Sequence, residues 1–374
     1  MNLYLCRLYN QMKKNILITG GAGFIGSHVV RLFVTKYPDY QIFNLDALTY
    51  AGNLENLKDI EKASNYHFVK ADILDAATLK EIFAKHAITD VIHLAAESHV
   101  DRSIVSPLDF VYTNVIGTVN LLNTAKEYWK DDLSYDKAHD GSWDNQRDHL
   151  FYHVSTDEVY GSLGKEGLFK ETTPYDPNSP YSASKAAADI ATQSWRSSFG
   201  DHPISIARAG NVIGGGDIAE NRLLPDLINC FIKNEGPKLR FPEAIRPWQH
   251  VLDPLAGYLL YLEGTLQKKI NHQALNFGPL EASLEVSEIL DVGRRVFGDK
   301  VNIVVKEEIG NREAKALELD ASLANQTLLW SPKWNQKEAI NDTFTWWKTV
   351  LKDPRDAYNN CLRDIDSLIA TLQR

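Results

Sequence analysis

From Asn15 onward, short apolar runs alternate with amphipathic stretches, and this rhythm sets the expected fold. Asn15–Thr19 (NILIT), Gln41–Asp46 (QIFNLD), Tyr66–Asp72 (YHFVKAD), Asp90–Ala96 (DVIHLAA), Leu150–Thr156 (LFYHVST) and Pro203–Ala209 (PISIARA) read as strands. Between them, Ser27–Tyr37 puts Val30, Phe33 and Val34 on one helical face, and Ala76–His86, Pro107–Trp129 and the alanine-rich Tyr181–Phe199 supply further helices. Strand and helix in alternation predict a parallel sheet with helices on both faces. Beyond Asn211 the rhythm changes. Pro and Gly become frequent, Gly214–Gly216 forms a loop, and shorter elements such as Ala274–Phe277 appear.

Length and composition narrow the class. The 374 residues leave room for about two domains and a large core. A hydrophobic share of 44% with 24% charged residues is that of a folded globular chain and excludes disorder. Forty Lys and Arg against 49 Asp and Glu give a net charge of -9, which disfavours a nucleic-acid binder and requires any anionic ligand to be held by a local cationic site. Cys6, Cys230 and Cys361 are odd in number, far apart and without metal-ligand spacing, so they read as reduced, buried thiols of a cytoplasmic protein. Apolar runs such as Gly257–Leu262 are too short for a membrane span. Arg7 and Asn10 interrupt the mildly apolar start, which is no secretory signal, and Met12 stands as an alternative start. Asp131–Asp148, with six Asp, reads as a polar surface excursion. His93, His99 and His153 sit singly and read as structural, so no metal is expected.

Two motifs carry chemistry. Thr19-Gly-Gly-Ala-Gly-Phe-Ile-Gly26 joins the first strand to the first helix, where glycines let the backbone approach a pyrophosphate held by the helix amino terminus. Asp46 ends the second strand twenty residues after Gly26, placed to accept hydrogen bonds from a ribose diol and to repel a 2′-phosphate. NAD is therefore expected, on a Rossmann-type doubly wound α/β sheet. The second motif is Tyr181-x-x-x-Lys185, one helical turn apart, where an ammonium beside a phenol lowers its pKa. The strand ending Ser155-Thr156-Asp157-Glu158 brings a hydroxyl and two carboxylates to the carboxyl edge of the sheet, where ligands bind.

With these residues the chain resembles the nucleoside-diphosphate-glucose 4,6-dehydratases of the extended short-chain dehydrogenase/reductase superfamily. Ile18–Ser27, Asp46–Asn53 (DALTYAGN), His93–Ile104 (HLAAESHVDRSI), Ser155–Gly161 (STDEVYG) and Ser179–Lys185 (SPYSASK) are similar to dTDP-glucose 4,6-dehydratases. The similarity covers about residues 13–335, and the Thr-Asp-Glu triplet discriminates most, because sugar 4-epimerases lack the acid pair. The resemblance implies Thr156, Asp157, Glu158, Tyr181 and Lys185 as catalytic residues. Cofactor contacts would come from Gly20, Gly23, Phe24, Ile25, Gly26, Asp46, Leu48, Thr49, Asp72, Ile73, Leu94, Ala95, Ala96, Ser98, Thr113, Tyr181 and Lys185. Val212 replaces an asparagine usual in the family. It also implies a homodimer paired through the helices at Pro107–Trp129 and Tyr181–Phe199.

Substrate contacts would come from Ser98, Thr156, Asn211, Arg222, Arg246 and Asn276, with Arg246 clamping the diphosphate. Arg222 can equally be a surface helix residue, and Trp248 and Trp334 read as core. Arg208–Asp217 (RAGNVIGGGD), Ala244–Leu252, Asn276–Pro279 and Leu328–Asn335 resemble CDP-glucose 4,6-dehydratases instead, so dTDP and CDP compete as the nucleotide, with dTDP preferred. An epimerase or decarboxylase on the same fold, and a catalytically inactive NAD sensor, are the rival readings. The division expected is an NAD-binding domain over 13–211, a mainly sugar-nucleotide-binding and partly interleaved α/β substrate domain over 212–352, and a helical tail over 353–374.

Overall fold

Seven of the apolar segments pair into one parallel sheet. They are Asn15–Thr19 (β1), Gln41–Asp46 (β2), Tyr66–Lys70 (β3), Asp90–His93 (β4), Leu150–Thr156 (β5), Ile204–Ala209 (β6) and Ala274–Phe277 (β7), in the order β7-β6-β5-β4-β1-β2-β3. The computed structural model describes residues 14–132, 149–163, 167–199, 203–219, 222–239, 242–298, 304–305, 317–353 and 356–372. Cys6, the choice between Met1 and Met12, and the polar excursion from residue 133 on lie outside these.

The helices cover both faces. On one side Phe24–Lys36 (α1) and Leu252–Leu266 pack Val30, Phe33, Leu255 and Leu259 against Ile16, Ile18 and Tyr152 of the sheet. On the other, Ala76–His86 (α2) and Thr118–Asp132 (α3) pack Leu79, Phe83, Leu121 and Trp129 against Leu17, Phe43 and Phe151. Pro180–Ser198 (α4) starts cleanly because Ser179 and Ser182 exchange side-chain-to-backbone bonds at 3.0 and 2.9 Å, and Pro180 costs no hydrogen bond in the first turn. Leu223–Lys233 (α5) precedes the Leu252–Leu266 helix (α6), which is followed by Val286–Phe297 (α7), Ser322–Leu328 (α8), Gln336–Lys352 (α9) and Asp356–Leu372 (α10). A smaller core of Ile213, Leu224, Phe231, Trp248, Ile289 and Phe344 joins α5, α7 and α9. Although both follow residue 212, β7 joins the large sheet and α6 packs against it, as do Ile365 and Leu368 of α10.

Element ends differ from the sequence expectation where the chain turns to build a cleft. β4 stops at His93, three residues early, and β3 stops at Lys70, after which Asp72 Oδ1 accepts the Leu74 N–H at 2.9 Å in a tight turn. The expected Pro107–Trp129 helix begins as Pro107–Phe110, widens to a π-helical stretch over Val111–Gly117 and continues as α3. No described helix is long and apolar enough to cross a membrane. Among the described residues no cluster of metal-ligating side chains occurs.

Candidate active site

Strand order reverses between β1 and β4, and a crevice opens there at the carboxyl ends of the strands. The glycine-rich loop after β1 shapes its floor. Gly20 has φ +72°, and a Cβ on it would stand 2.7 Å from the Ala95 nitrogen; one on Gly26 would meet the Gly20 carbonyl at 2.1 Å. Gly23 caps α1 without a side-chain hydrogen bond, and no acidic residue occupies the first turn, so the helix amino terminus is left to an anion. At the end of β2, Asp46 receives the Leu48 N–H on Oδ1 at 2.8 Å and the Ala22 N–H on Oδ2 at 2.9 Å, which orients its carboxylate beside the glycine loop.

The cleft has a volume of about 570 Å³, and its wall holds Gly20, Gly23, Phe24, Ile25, Gly26, Asp46, Thr49, Asp72, Ile73, Leu94, Ala95, Ala96, Ser98, Thr113, Tyr181 and Lys185. Leu48 does not line it: its backbone, at φ 56°, turns the N–H inward to Asp46. The carboxylate, the uncapped helix end and the side-chain-free loop together fit a dinucleotide with an unmodified ribose.

A second cleft of about 390 Å³ adjoins the first and contains Thr156, Asp157, Glu158, Tyr181, Asn211, Arg222 and Arg246. Thr156 ends β5 and caps the Asp157–Tyr160 turn; its hydroxyl accepts the Glu158 N–H at 3.3 Å and donates to Asp157 Oδ1 at 3.1 Å. Asp157 is buried, and its Oδ2 has no hydrogen-bond partner. Burial pushes its carboxyl up to about 6, against the Thr156 hydrogen bond and the charge of Arg246. It can therefore hold a proton near neutral pH beside the half-buried Glu158, as an acid–base pair requires.

The Tyr181–Lys185 pair differs from expectation. Lys185 Nζ donates to the Val154 carbonyl at 2.9 Å, and burial brings the ammonium down to about 8. Burial first, and then the Glu158 charge, raise the Tyr181 phenol above its usual range, opposed by a hydrogen bond with Thr156 and the charge of Arg222. In the ligand-free protein the phenol is thus protonated at neutral pH.

Two substrate candidates move. Asn276 lines neither cleft: it is fully buried in β7, where its Oδ1 accepts from the Tyr160 hydroxyl at 2.9 Å and its Nδ2 donates to the Phe169 carbonyl at 3.1 Å. A polar residue in a strand does not announce which layer it faces. Arg222 is no surface helix residue. It stands just before α5, with Nε donating to His99 Nε2 at 3.0 Å and Nη1 to Asp217 Oδ2 at 3.1 Å. Since an arginine only donates, His99 Nε2 accepts, and Nδ1 carries the hydrogen facing Ser98 Oγ at 2.9 Å. Burial and then Arg222 lower that imidazole to about 4, so it is neutral. Ser98, His99, Arg222 and Asp217 form a chain lying on the wall shared by the two clefts.

The sequence reading passed over His99 and Asp217 in this role, and also Asn114. Asn114, buried in the π-helical stretch, exchanges bonds of 2.8 and 3.0 Å with the Glu97 backbone and donates to Ser184 Oγ at 2.8 Å, joining the loop after β4 to α4. A π-helical turn has no sequence signature, although such turns often mark functional sites. Trp248 is core, while His93 and His153 pair with ring centroids 5.3 Å apart rather than standing singly.

Comparison with known proteins adds chemistry to this geometry. The family model described as GDP-mannose 4,6 dehydratase matches residues 17–343. A probable dTDP-glucose 4,6-dehydratase of Sinorhizobium fredii is 38% identical over 337 residues, covering 89% of this chain and 92% of that one. The dTDP-glucose 4,6-dehydratase of Neisseria gonorrhoeae is 43% identical over 261 residues, covering 69% and 72%. A crystal structure of a Streptomyces venezuelae dTDP-glucose 4,6-dehydratase with NAD and dTDP bound is 31% identical, has a TM-score of 0.77, and covers 91% of this chain and 99% of its own.

Proposed function

Because this chain belongs to the GDP-mannose 4,6-dehydratase family, we propose that it converts dTDP-glucose to dTDP-4-keto-6-deoxyglucose and water by an internal oxidation–reduction. The observation that carries this reading is Asp157: a buried carboxyl with one unpartnered oxygen, beside Glu158 and Tyr181 on one cleft wall. When bound, NAD supplies a hydride acceptor for the C4–H bond and a donor for C6, and in its oxidised form a positive charge in the cleft that Tyr181 lines.

The chain's own groups move the protons. Tyr181, ionised under the positive charge of bound NAD, takes the proton of the O4 hydroxyl, steadied by Thr156, and Lys185 one helical turn on supplies positive charge on the same wall. With C4 oxidised, the C5 hydrogen is acidic, and Glu158 removes it. Asp157 gives its proton to the C6 hydroxyl as the C6–O bond breaks and water leaves, and Glu158 returns a proton to C5 when the hydride is delivered to C6. Arg246, buried in the second cleft, and Arg222 hold the diphosphate, with Asn211 and Ser98 on the sugar. NAD and the catalytic groups are held mainly by residues of 13–211 and the sugar nucleotide mainly by residues of 212–352, while the last helix packs Ile365 and Leu368 into the large core rather than standing off as a tail. The cytoplasm is the compartment this reading implies, and the thiols of Cys230 and Cys361 are free.

A second copy of the chain is the partner this reading adds. Ile104, Leu108, Tyr112 and Ile116 recur every fourth residue and are 43–65% exposed, and Ile190 and Phe199, in and just after α4, are exposed as well. Such an apolar surface is expected to be covered by its own twin.

Turnover assays with dTDP-, CDP-, UDP- and GDP-glucose test the reading. A 4-keto-6-deoxy product from dTDP-glucose in preference to the others is expected, and Asp157→Asn and Glu158→Gln should each lower kcat by roughly 10²–10⁴-fold. A clear preference for CDP-glucose, product that retains the C6 oxygen, or normal rates in both variants would overturn it.

A further inference from the structure

Behind the Asp157–Tyr160 turn lies a buried charge for which the proposed chemistry has no use. Arg208 on β6 is almost fully buried, its guanidinium 5.3 and 5.2 Å from the ring centroids of Tyr160 and Tyr175. Its Nε donates to Asp189 Oδ2 at 2.8 Å, its Nη1 to the Tyr160 hydroxyl at 2.7 Å and its Nη2 to the Tyr175 hydroxyl. The Tyr160 hydroxyl in turn donates to Asn276 Oδ1 at 2.9 Å. Tyr175 donates to Asp189 Oδ2 at 3.3 Å and accepts from Gln193 at 2.7 Å. Asp189 Oδ1 stands 3.4 Å from His153 Nε2.

These contacts reach both groups of reactive side chains. Tyr160 closes the turn that begins with Asp157 and Glu158. Asp189 is the residue four after Lys185, on the helix whose first turn carries Tyr181. Burying an ion pair in this way costs desolvation that apolar packing would not. What it gains is direction: a planar guanidinium holds several partners at fixed angles, which apolar side chains cannot do.

We infer that Arg208 is a positioning residue which, through Tyr160 on one side and Asp189 on the other, fixes the spacing between the acid-pair turn and the Tyr181–Lys185 helix. The inference rests on the dehydratase reading above. With that spacing held, elimination across C5 and C6 follows oxidation at C4 without the sugar shifting. The two reactive groups can also be loosened separately. Tyr160→Phe deletes one hydroxyl and frees the acid-pair turn, while the Arg208–Asp189 pair behind Tyr181 and Lys185 stays in place. Arg208→Lys keeps a charge for Asp189 but cannot bridge to both tyrosines.

The experiment compares wild type, Tyr160→Phe and Arg208→Lys, each loaded with NAD, on dTDP-glucose. Five quantities are measured: steady-state kcat and KM, the absorbance of reduced cofactor in a single turnover, solvent deuterium entering C5, and the melting temperature. For Tyr160→Phe, kcat should fall roughly 10- to 100-fold, the scale of a small misplacement of reacting groups, with KM close to wild type and the melting temperature lowered by a few degrees, because Arg208 Nη1 and Asn276 Oδ1 each lose a partner. Reduced cofactor should accumulate and deuterium entry at C5 should slow in step with kcat, because oxidation proceeds while elimination waits. Arg208→Lys, if folded, should show the same partition. A Tyr160→Phe protein with wild-type kcat and no accumulation overturns the inference. So does one in which both steps slow together and KM rises, since that is loss of packing alone. An active wild type with either result sinks only the positioning role, whereas a wild type that converts none of the four sugar nucleotides sinks the dehydratase reading with it.

Discussion

Asp157 illustrates how a reactive group is set against the stability of the fold that holds it. Its carboxyl lies at about 6 in the folded protein, above the ordinary 3.8, because burial penalises the ionised form. The ionised side chain therefore destabilises the fold by about 2–3 kcal/mol above pH 6; the penalty shrinks as pH falls through 6 and is gone below about 4. Asp157→Asn should thus be more stable than wild type at pH 8 and equal to it near pH 4, read as melting temperature against pH, while losing most of its activity. As an acid, Asp157 must be protonated, so kcat/KM should fall as pH rises through about 6, and the variant should lack that limb. The gathering of Thr156, Asp157, Glu158, Tyr181 and Lys185 around the two clefts was legible in the sequence because it follows from local spacing. Asn276 was not, because the Tyr160 hydroxyl it binds is 116 residues away, and nothing in a strand pattern names such a partner.

The elements were legible to the extent that periodicity dictated them. β1, β2, β5, β7 and α2 stand where the apolar pattern puts them. The departures fall at the carboxyl ends of β3 and β4, where backbone leaves the sheet to line the crevice, and in the π-helical stretch that aims Asn114 at Glu97 and Ser184. Both are set by what the chain must reach rather than by local propensity. The glycine loop gives a test at this scale. Gly26→Ala would press a methyl group to 2.1 Å from the Gly20 carbonyl, so α1 must move away from β1. Loss of NAD binding by at least roughly tenfold in calorimetric titration is expected, with a lower melting temperature. Wild-type affinity in that variant would show that the loop does not hold the pyrophosphate.

At the scale of the whole molecule, the exposed apolar stripe predicts association. Leu108→Glu together with Ile116→Glu should shift the mass seen by light scattering from two chains to one while leaving the single-chain fold intact, as judged by circular dichroism. A wild-type protein that is already monomeric at micromolar concentration would rule out this pairing. The position of β7 bears on how the protein is made. Its strand partner is β6, and α6 packs on one face of the sheet, so the sheet and its larger core are completed only by residues that follow α5. A growing chain emerging at about 5–20 residues per second therefore spends several seconds with the edge of β6 unpaired, when other nascent chains can add to it. Expression of residues 1–211 alone should therefore leave less protein in the soluble fraction than the whole chain does, and equal recovery would show that the sheet does not need β7. The large sheet is finished by a strand that leaves the ribosome long after its neighbour.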